Sequence, residues 1–86
     1  MPISFSRIFV KQYKKAPLKI RLAFDQRLKL FLKNSHHFLL NDHFLRGKLK
    51  GYKSINITGD WRALYSQLHP SIIIFEALGT HNQLYK

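Results

Sequence analysis

The spacing of apolar positions changes repeatedly along the chain, and the changes divide it into elements. Ile3 and Phe5 alternate with Ser4 and Ser6, and Ile8-Phe9-Val10 follows, so residues 3 to 10 are expected as a first strand. Lys11 to Lys15 then reads as a short basic helical turn. Beyond Pro17, which the first turn of a helix tolerates, Ile20, Phe24, Leu28 and Phe31 recur at helical steps with Leu32 alongside. This predicts an amphipathic helix over residues 17 to 33, with Lys19, Gln26, Lys29 and Lys33 mostly on its outer side. Asp25 is expected to pair with Lys29 one turn on.

Residues 34 to 51 are irregular, punctuated by His36, His37, Asn41, Asp42, His43, Gly47 and Gly51. The period then becomes two. Tyr52 to Thr58 alternates, Gly59-Asp60 is a turn signal, and Trp61 to Ser66 resumes as a strand. After His69-Pro70, the β-branched run from Ser71 to Leu78 reads as a strand buried on both faces and ended by Gly79. A strand, a helix and then three strands make an α+β domain, with the helix on one sheet face and the other face free as a concave working surface.

At 86 residues, with no repeat or linker, the chain is expected to form one domain over residues 1–86. A chain of this length buries only about 60–65% of the surface its unfolded form exposes, so the core must be economical. Fifteen Lys and Arg stand against four acids, a net charge of +11 that suits a polyanion partner. Disorder does not explain that charge, because 45% of residues are hydrophobic and 14% aromatic. The absence of cysteine excludes disulfides, thiolate zinc sites and a Cys nucleophile. Four scattered acids also make a multi-carboxylate cation site or a glycosidase pair a poor fit. The longest apolar run is Ile72 to Phe75, and the N-terminus lacks the pattern of a signal peptide. The expectation is a folded cytoplasmic protein that does not engage a membrane.

Among the five histidines, adjacent His36 and His37 and turn residue His69 read as loop residues. His43, in a polar loop leading into the sheet, and His81, just past the buried strand, are better placed to exchange protons. A zinc site from His43, His81 and Asp60 lacks any local ligand pair. Trp61 and Tyr65 share strand parity, and each either stacks on a nucleobase or packs in the core. Arg62 falls opposite Ile57 if the Gly59-Asp60 turn has two residues and reverses parity if it has three; either way its guanidinium suits a phosphate. Arg46, Lys48, Lys50 and Lys53 lead into the first hairpin strand, and the lysines are candidate phosphate contacts.

Taken together, His43-Phe44-Leu45-Arg46-Gly47, the stretch Gly51 to Tyr65 with its D-W-R-x-x-Y block, and the ending Leu78-Gly79-Thr80-His81-Asn82-Gln83-Leu84-Tyr85 resemble the RelE superfamily of bacterial type II toxins, on its YafQ branch. The resemblance covers essentially the whole chain, and the two blocks in this order and spacing are specific. It implies a small RelE-like domain with an N-terminal strand and helices packed on one face of a mainly antiparallel sheet. It also implies a toxin that cuts messenger RNA on the translating ribosome, without metal or cofactor, by attack of the substrate's own 2′-OH. By the same resemblance the active site holds His43, Asp60, Arg62, His81 and Tyr85, with the strand lysine Lys53 beside them; Lys48, Lys50 and Trp61 are added as RNA contacts from the basic run and the strand pattern. The expected partners are an acidic antitoxin and ribosome-bound mRNA, with operator DNA reached only through the antitoxin.

The resemblance assigns His81 as general acid and His43 as candidate base, with Asp60 positioning a partner. Arg62 and Lys53 would stabilise phosphoryl charge, and Tyr85 would stack on or position a base. Asn56 is a departure: it stands where the branch has a further functional histidine, and an amide can hold a group but cannot exchange a proton. The rival readings are a non-catalytic RNA- or ribosome-binding module and an antitoxin-bound co-repressor.

Overall fold

The computed structural model describes residues 2–85. The first strand, β1 (Ile3–Phe5), stops sooner than alternation suggests, because the chain turns at Ser6. The Ser6 Oγ accepts from the Phe9 N–H at 3.0 Å and donates to the Glu76 carbonyl at 2.8 Å, so one side chain caps α1 (Arg7–Lys15) and ties it to the sheet. Ile8-Phe9-Val10 is therefore helical. A helical step puts Phe9 and Tyr13 on the core side and leaves Ile8 and Val10 exposed. Lys14 and Lys15 close α1 where the helix dipole favours cations.

Ala16 is extended, as the residue before a proline prefers, and Pro17 is the N-cap of α2 (Leu18–Lys33) rather than its first turn. Ile20, Phe24 and Phe31 are buried and Leu28 packs against them, as the periodicity requires, whereas Leu32 is exposed. Asp25 accepts a hydrogen bond from the Tyr13 hydroxyl at 2.8 Å, binding the two helices together instead of forming the expected pair with Lys29.

The connection after α2 is more ordered than its composition implies. A 3-10 turn at Phe38–Leu40 drives Leu40 into the core, and Arg27 donates to the Leu39 carbonyl at 3.2 Å. Asn41 takes the left-handed conformation, which Asn tolerates, and releases the chain into β2 (His43–Phe44). A second 3-10 turn at Gly47–Leu49 leads through Gly51, whose φ of +98° suits a residue without a Cβ, into β3 (Lys53–Asn56). Then come β4 (Trp61–His69), β5 (Ile72–Thr80) and a single turn of helix, α3 (His81–Leu84).

The sheet order is β1-β5-β4-β3-β2, antiparallel except for the β1–β5 pair. Phe75 on β5 is the centre of the core, with the rings of Phe5, Phe9, Phe24, Phe31 and Tyr65 at centroid distances of 5.4 to 5.9 Å. Only one face of β5 is fully buried, through Ile73, Phe75 and Leu78; Ile74, Glu76 and Ala77 are half-buried and Ile72 is exposed. The strand also continues through Gly79 instead of ending there. No described helix is long and apolar enough to cross a membrane.

Candidate active site

Register decides what the two sheet faces carry. Asn56 pairs with Arg62, and the Ile57 N–H donates to the Trp61 carbonyl at 2.9 Å, so Thr58-Gly59-Asp60 is a three-residue turn. That parity puts Ile55, Ile57, Ala63 and Tyr65 in the core on the helix face. Ser54, Asn56, Arg62, Leu64 and Gly79 are left on the other side. Tyr65 is 1% exposed and cannot stack on a base, and Trp61 packs against the core, lining a recess with Gln12, Ala16 and Leu78.

The second face is covered at one end by the C-terminal segment. Thr80 caps α3 in a reciprocal box with Gln83, and the His81 N–H donates to the Asp60 carbonyl at 2.9 Å. The turn carrying Asp60 and the helix carrying His81 are thereby joined. From α3, Tyr85 crosses back over the sheet until its hydroxyl lies 2.8 Å from the Oγ of Ser54, and the His81 imidazole meets the Tyr85 ring edge-on at 4.4 Å. Ser54 is also the strand partner of His43. His43, Ser54, Tyr85, His81 and Asp60 thus form one unbroken run of contacts, with the His43, His81 and Asp60 side chains exposed. Sequence alone gave Ser54 no role, because a serine within an alternating strand has no distinguishing signal.

The Nδ1 of His43 is 2.6 Å from the Asn41 carbonyl, and since a carbonyl only accepts, this nitrogen carries the proton and Nε2 is left open. Arg62 folds back on its own turn, donating through Nη1 to the Thr58 and Trp61 carbonyls and through Nη2 to that of Gly59. Neutral carbonyls orient the guanidinium without cancelling its charge, and its Nε–H makes no bond within the described residues. Beside it, the Oδ1 of Asn56 is buried with no hydrogen-bond partner among the described residues.

The lysines fall in different places. Lys48 joins Leu45, Arg46, Leu49 and Tyr85 around a cavity of about 270 Å³. Lys50 is exposed on the turn outside that lining. Lys53 does not reach the open face: strand parity directs it to the helix side, where its Nζ lies 3.6 Å from Asp42 Oδ2 and over the rings of Phe44 and Tyr65. Asp42 is also bound by the Tyr65 hydroxyl, whose pKa is driven well above its ordinary value by burial and by that carboxylate, so the phenol stays a donor. Among the described residues, no three His, Asp or Glu side chains gather as metal ligands would.

A family model for "Bacterial toxin of type II toxin-antitoxin system, YafQ" matches residues 1–86. The chain belongs to the YafQ toxin family. Its fold superposes on YafQ from E. coli strain BL21(DE3) with a TM-score of 0.82 at 26% identity, covering 99% of this chain and 98% of that one. The toxin in an E. coli DinJ-YafQ toxin-antitoxin complex matches with a TM-score of 0.80 at 27% identity, covering 99% and 97%. The RelB-RelE complex from Methanococcus jannaschii, at 20% identity, TM-score 0.74 and coverage of 96% and 95%, shares the fold. No curated protein sequence matches significantly. The expected RelE-like α+β domain is the fold this YafQ-family toxin has, a five-stranded and mainly antiparallel sheet carrying helices.

Proposed function

We propose that this YafQ-family chain is a cytoplasmic endoribonuclease that cleaves mRNA on the ribosome without a metal ion, and that an acidic antitoxin holds it in check. The observation that carries the reading is the contact run His43–Ser54–Tyr85–His81–Asp60 beside a charged, pre-oriented Arg62.

The chemistry follows from those groups. The open Nε2 of His43 takes the proton of the ribose 2′-OH, whose oxygen attacks the adjacent phosphorus. The bond from phosphorus to the 5′-oxygen breaks, and protonated His81 supplies that oxygen with its proton. Asn56 cannot exchange a proton, so the base assignment falls to His43. Asp60, whose carbonyl holds the His81 backbone, positions the acid. Arg62 faces the equatorial phosphate oxygens through its uncommitted donors. With Lys53 engaged by Asp42, Arg46 and Lys48 are the cations that line a cavity with Tyr85, and they support RNA contact around its ring. Trp61 supports the turn from the core side and does not meet the RNA.

A partner for the basic surface is supported by charge: the +11 is what remains after all four acids are counted, and the described residues contain one ion pair, Lys53–Asp42, so most of the cations have no acidic partner within the chain. The DinJ-YafQ complex of a family member supports the choice of an antitoxin, and operator DNA would be reached only through it.

Cleavage of ribosome-bound mRNA by wild-type and His81→Ala chains tests the mechanism. Wild-type upstream fragments should end in 2′,3′-cyclic phosphate or 3′-phosphate with or without chelator, provided ribosomes stay intact. His81→Ala should slow cleavage by ~10²–10⁴-fold while still binding RNA. Fragments ending in 3′-OH, or cleavage lost to a chelator, would overturn the metal-free mechanism; RNA binding with no wild-type cleavage would leave a non-catalytic binding module.

A further inference from the structure

Asp42, next to the candidate base, is held in a way the fold alone does not call for. Its side chain is 4% exposed, and both carboxylate oxygens accept from the Tyr65 hydroxyl, at 2.7 and 2.8 Å. Tyr65 is itself fixed by the rings of Phe31 at 5.1 Å and Phe75 at 5.5 Å. Lys53 closes the cluster at 3.6 Å. Burying a charged pair is costly, and apolar residues of similar volume generally serve a core as well or better. A chain with only four acids nevertheless places one here.

The consequence is felt one residue on each side. Leu40 is fully buried before Asn41, and Asp42 is pinned after it, so the left-handed Asn41 peptide is fixed at both ends. Its carbonyl is the group that meets His43 Nδ1 at 2.6 Å. A fixed carbonyl there selects which ring nitrogen bears the proton.

We propose that Asp42, clamped by Tyr65 and Lys53, is a positioning residue that holds the His43 imidazole in its Nδ1–H form, with Nε2 free to accept the substrate proton. The inference rests on the reading of His43 as the base. It adds Asp42, Tyr65 and Lys53 to the working parts of the site, none of them touching the reacting atoms.

The test combines ring spectroscopy with kinetics. In the ¹⁵N-labelled full chain, at a pH where imidazole is neutral, long-range ¹H–¹⁵N spectra should show His43 as one Nδ1–H tautomer. Tyr65→Phe keeps the ring that packs on Phe31 and Phe75, and Asp42→Asn keeps the shape; each should give a mixture of tautomers. Each should also lower kcat about 10- to 100-fold, the scale of losing a group that orients a catalytic imidazole, with KM little changed. In a His43→Ala background, Tyr65→Phe should cause no further loss, because a residue acting through His43 has nothing left to act on. Should a thermal melt show either variant unfolded, Lys53→Gln at the rim of the cluster carries the same comparison. A retained Nδ1–H tautomer in the folded variants, or an additive loss in the His43→Ala background, overturns the positioning role alone. Wild-type cleavage by His43→Ala overturns the base assignment and this inference with it.

Discussion

The Tyr85 phenol and the Ser54 hydroxyl lie 2.8 Å apart although 31 residues separate them in the chain. A four-residue helix has almost no stability of its own, so this bond and the Asp60–His81 backbone bond hold α3 in place. The two partners are not equivalent. Ser54 is fully buried, whereas Tyr85 is half-exposed and can turn to water. Tyr85→Phe strands the buried Ser54 hydroxyl and should cost about 1–3 kcal/mol, more than Ser54→Ala, which should cost about 1 kcal/mol. Denaturant melts of the two variants check the order.

Arg62 should not tolerate lysine. Its guanidinium spans the Thr58, Gly59 and Trp61 carbonyls at 2.9 to 3.2 Å, a fork that one ammonium cannot reproduce. Arg62→Lys should therefore destabilise by about 1–2 kcal/mol and slow cleavage by on the order of 10²-fold despite keeping the charge. A lysine variant with wild-type stability and rate would show that charge alone matters there.

These two sites also show what the residue pattern can and cannot reveal. Repetition made α2 and the hairpin legible, because a buried face imposes its period on many positions at once. The first strand is shorter than its residue pattern suggests, since β-branched and aromatic residues fit α1 equally well and a single capping bond at Ser6 decides between them. His43, Tyr85 and His81 are linked through Ser54, and Asp60 joins them by its backbone carbonyl, on the sheet face that also carries Arg62. Lys53 does not join them, because a lysine on the core side of a strand looks in sequence like any other lysine of a basic run. Its partners Asp42 and Tyr65 lie far apart in the chain, and only register brings them together.

Gly79 is a space requirement rather than a backbone one. A Cβ there would approach Gln83 Oε1 to 3.0 Å and the Leu84 side chain to 3.3 Å, the residues that seat α3 on the sheet. Gly79→Ala should push α3 outward, costing about 1–3 kcal/mol as overpacking does, and should lower kcat by displacing His81. Hydrogen exchange should show faster opening of α3 in the variant; unchanged protection would mean that Gln83 moves aside without carrying the helix.

Alkaline pH should destabilise the protein mainly through Tyr65. Burial, reinforced by the hydrogen bond to Asp42 and its charge, raises the folded pKa of this phenol above the ordinary 10.0 that it regains on unfolding. Below that value both states keep the proton and the stabilisation is complete. Above it the unfolded chain ionises first, so stability falls with a slope of about 1.4 kcal/mol per pH unit for one proton. Tyr13, raised chiefly by its hydrogen bond to Asp25 and further by burial and that carboxylate's charge, against an opposing effect of Arg21, adds to the slope in the same direction. Unfolding free energies measured from neutral to strongly alkaline pH should fall less steeply in Tyr65→Phe than in wild type. Comparing the two slopes isolates the phenol, because the other ionisable groups are common to both proteins. Equal slopes would mean that the Tyr65 phenol ionises freely in the folded state, which its bond to a buried carboxylate forbids.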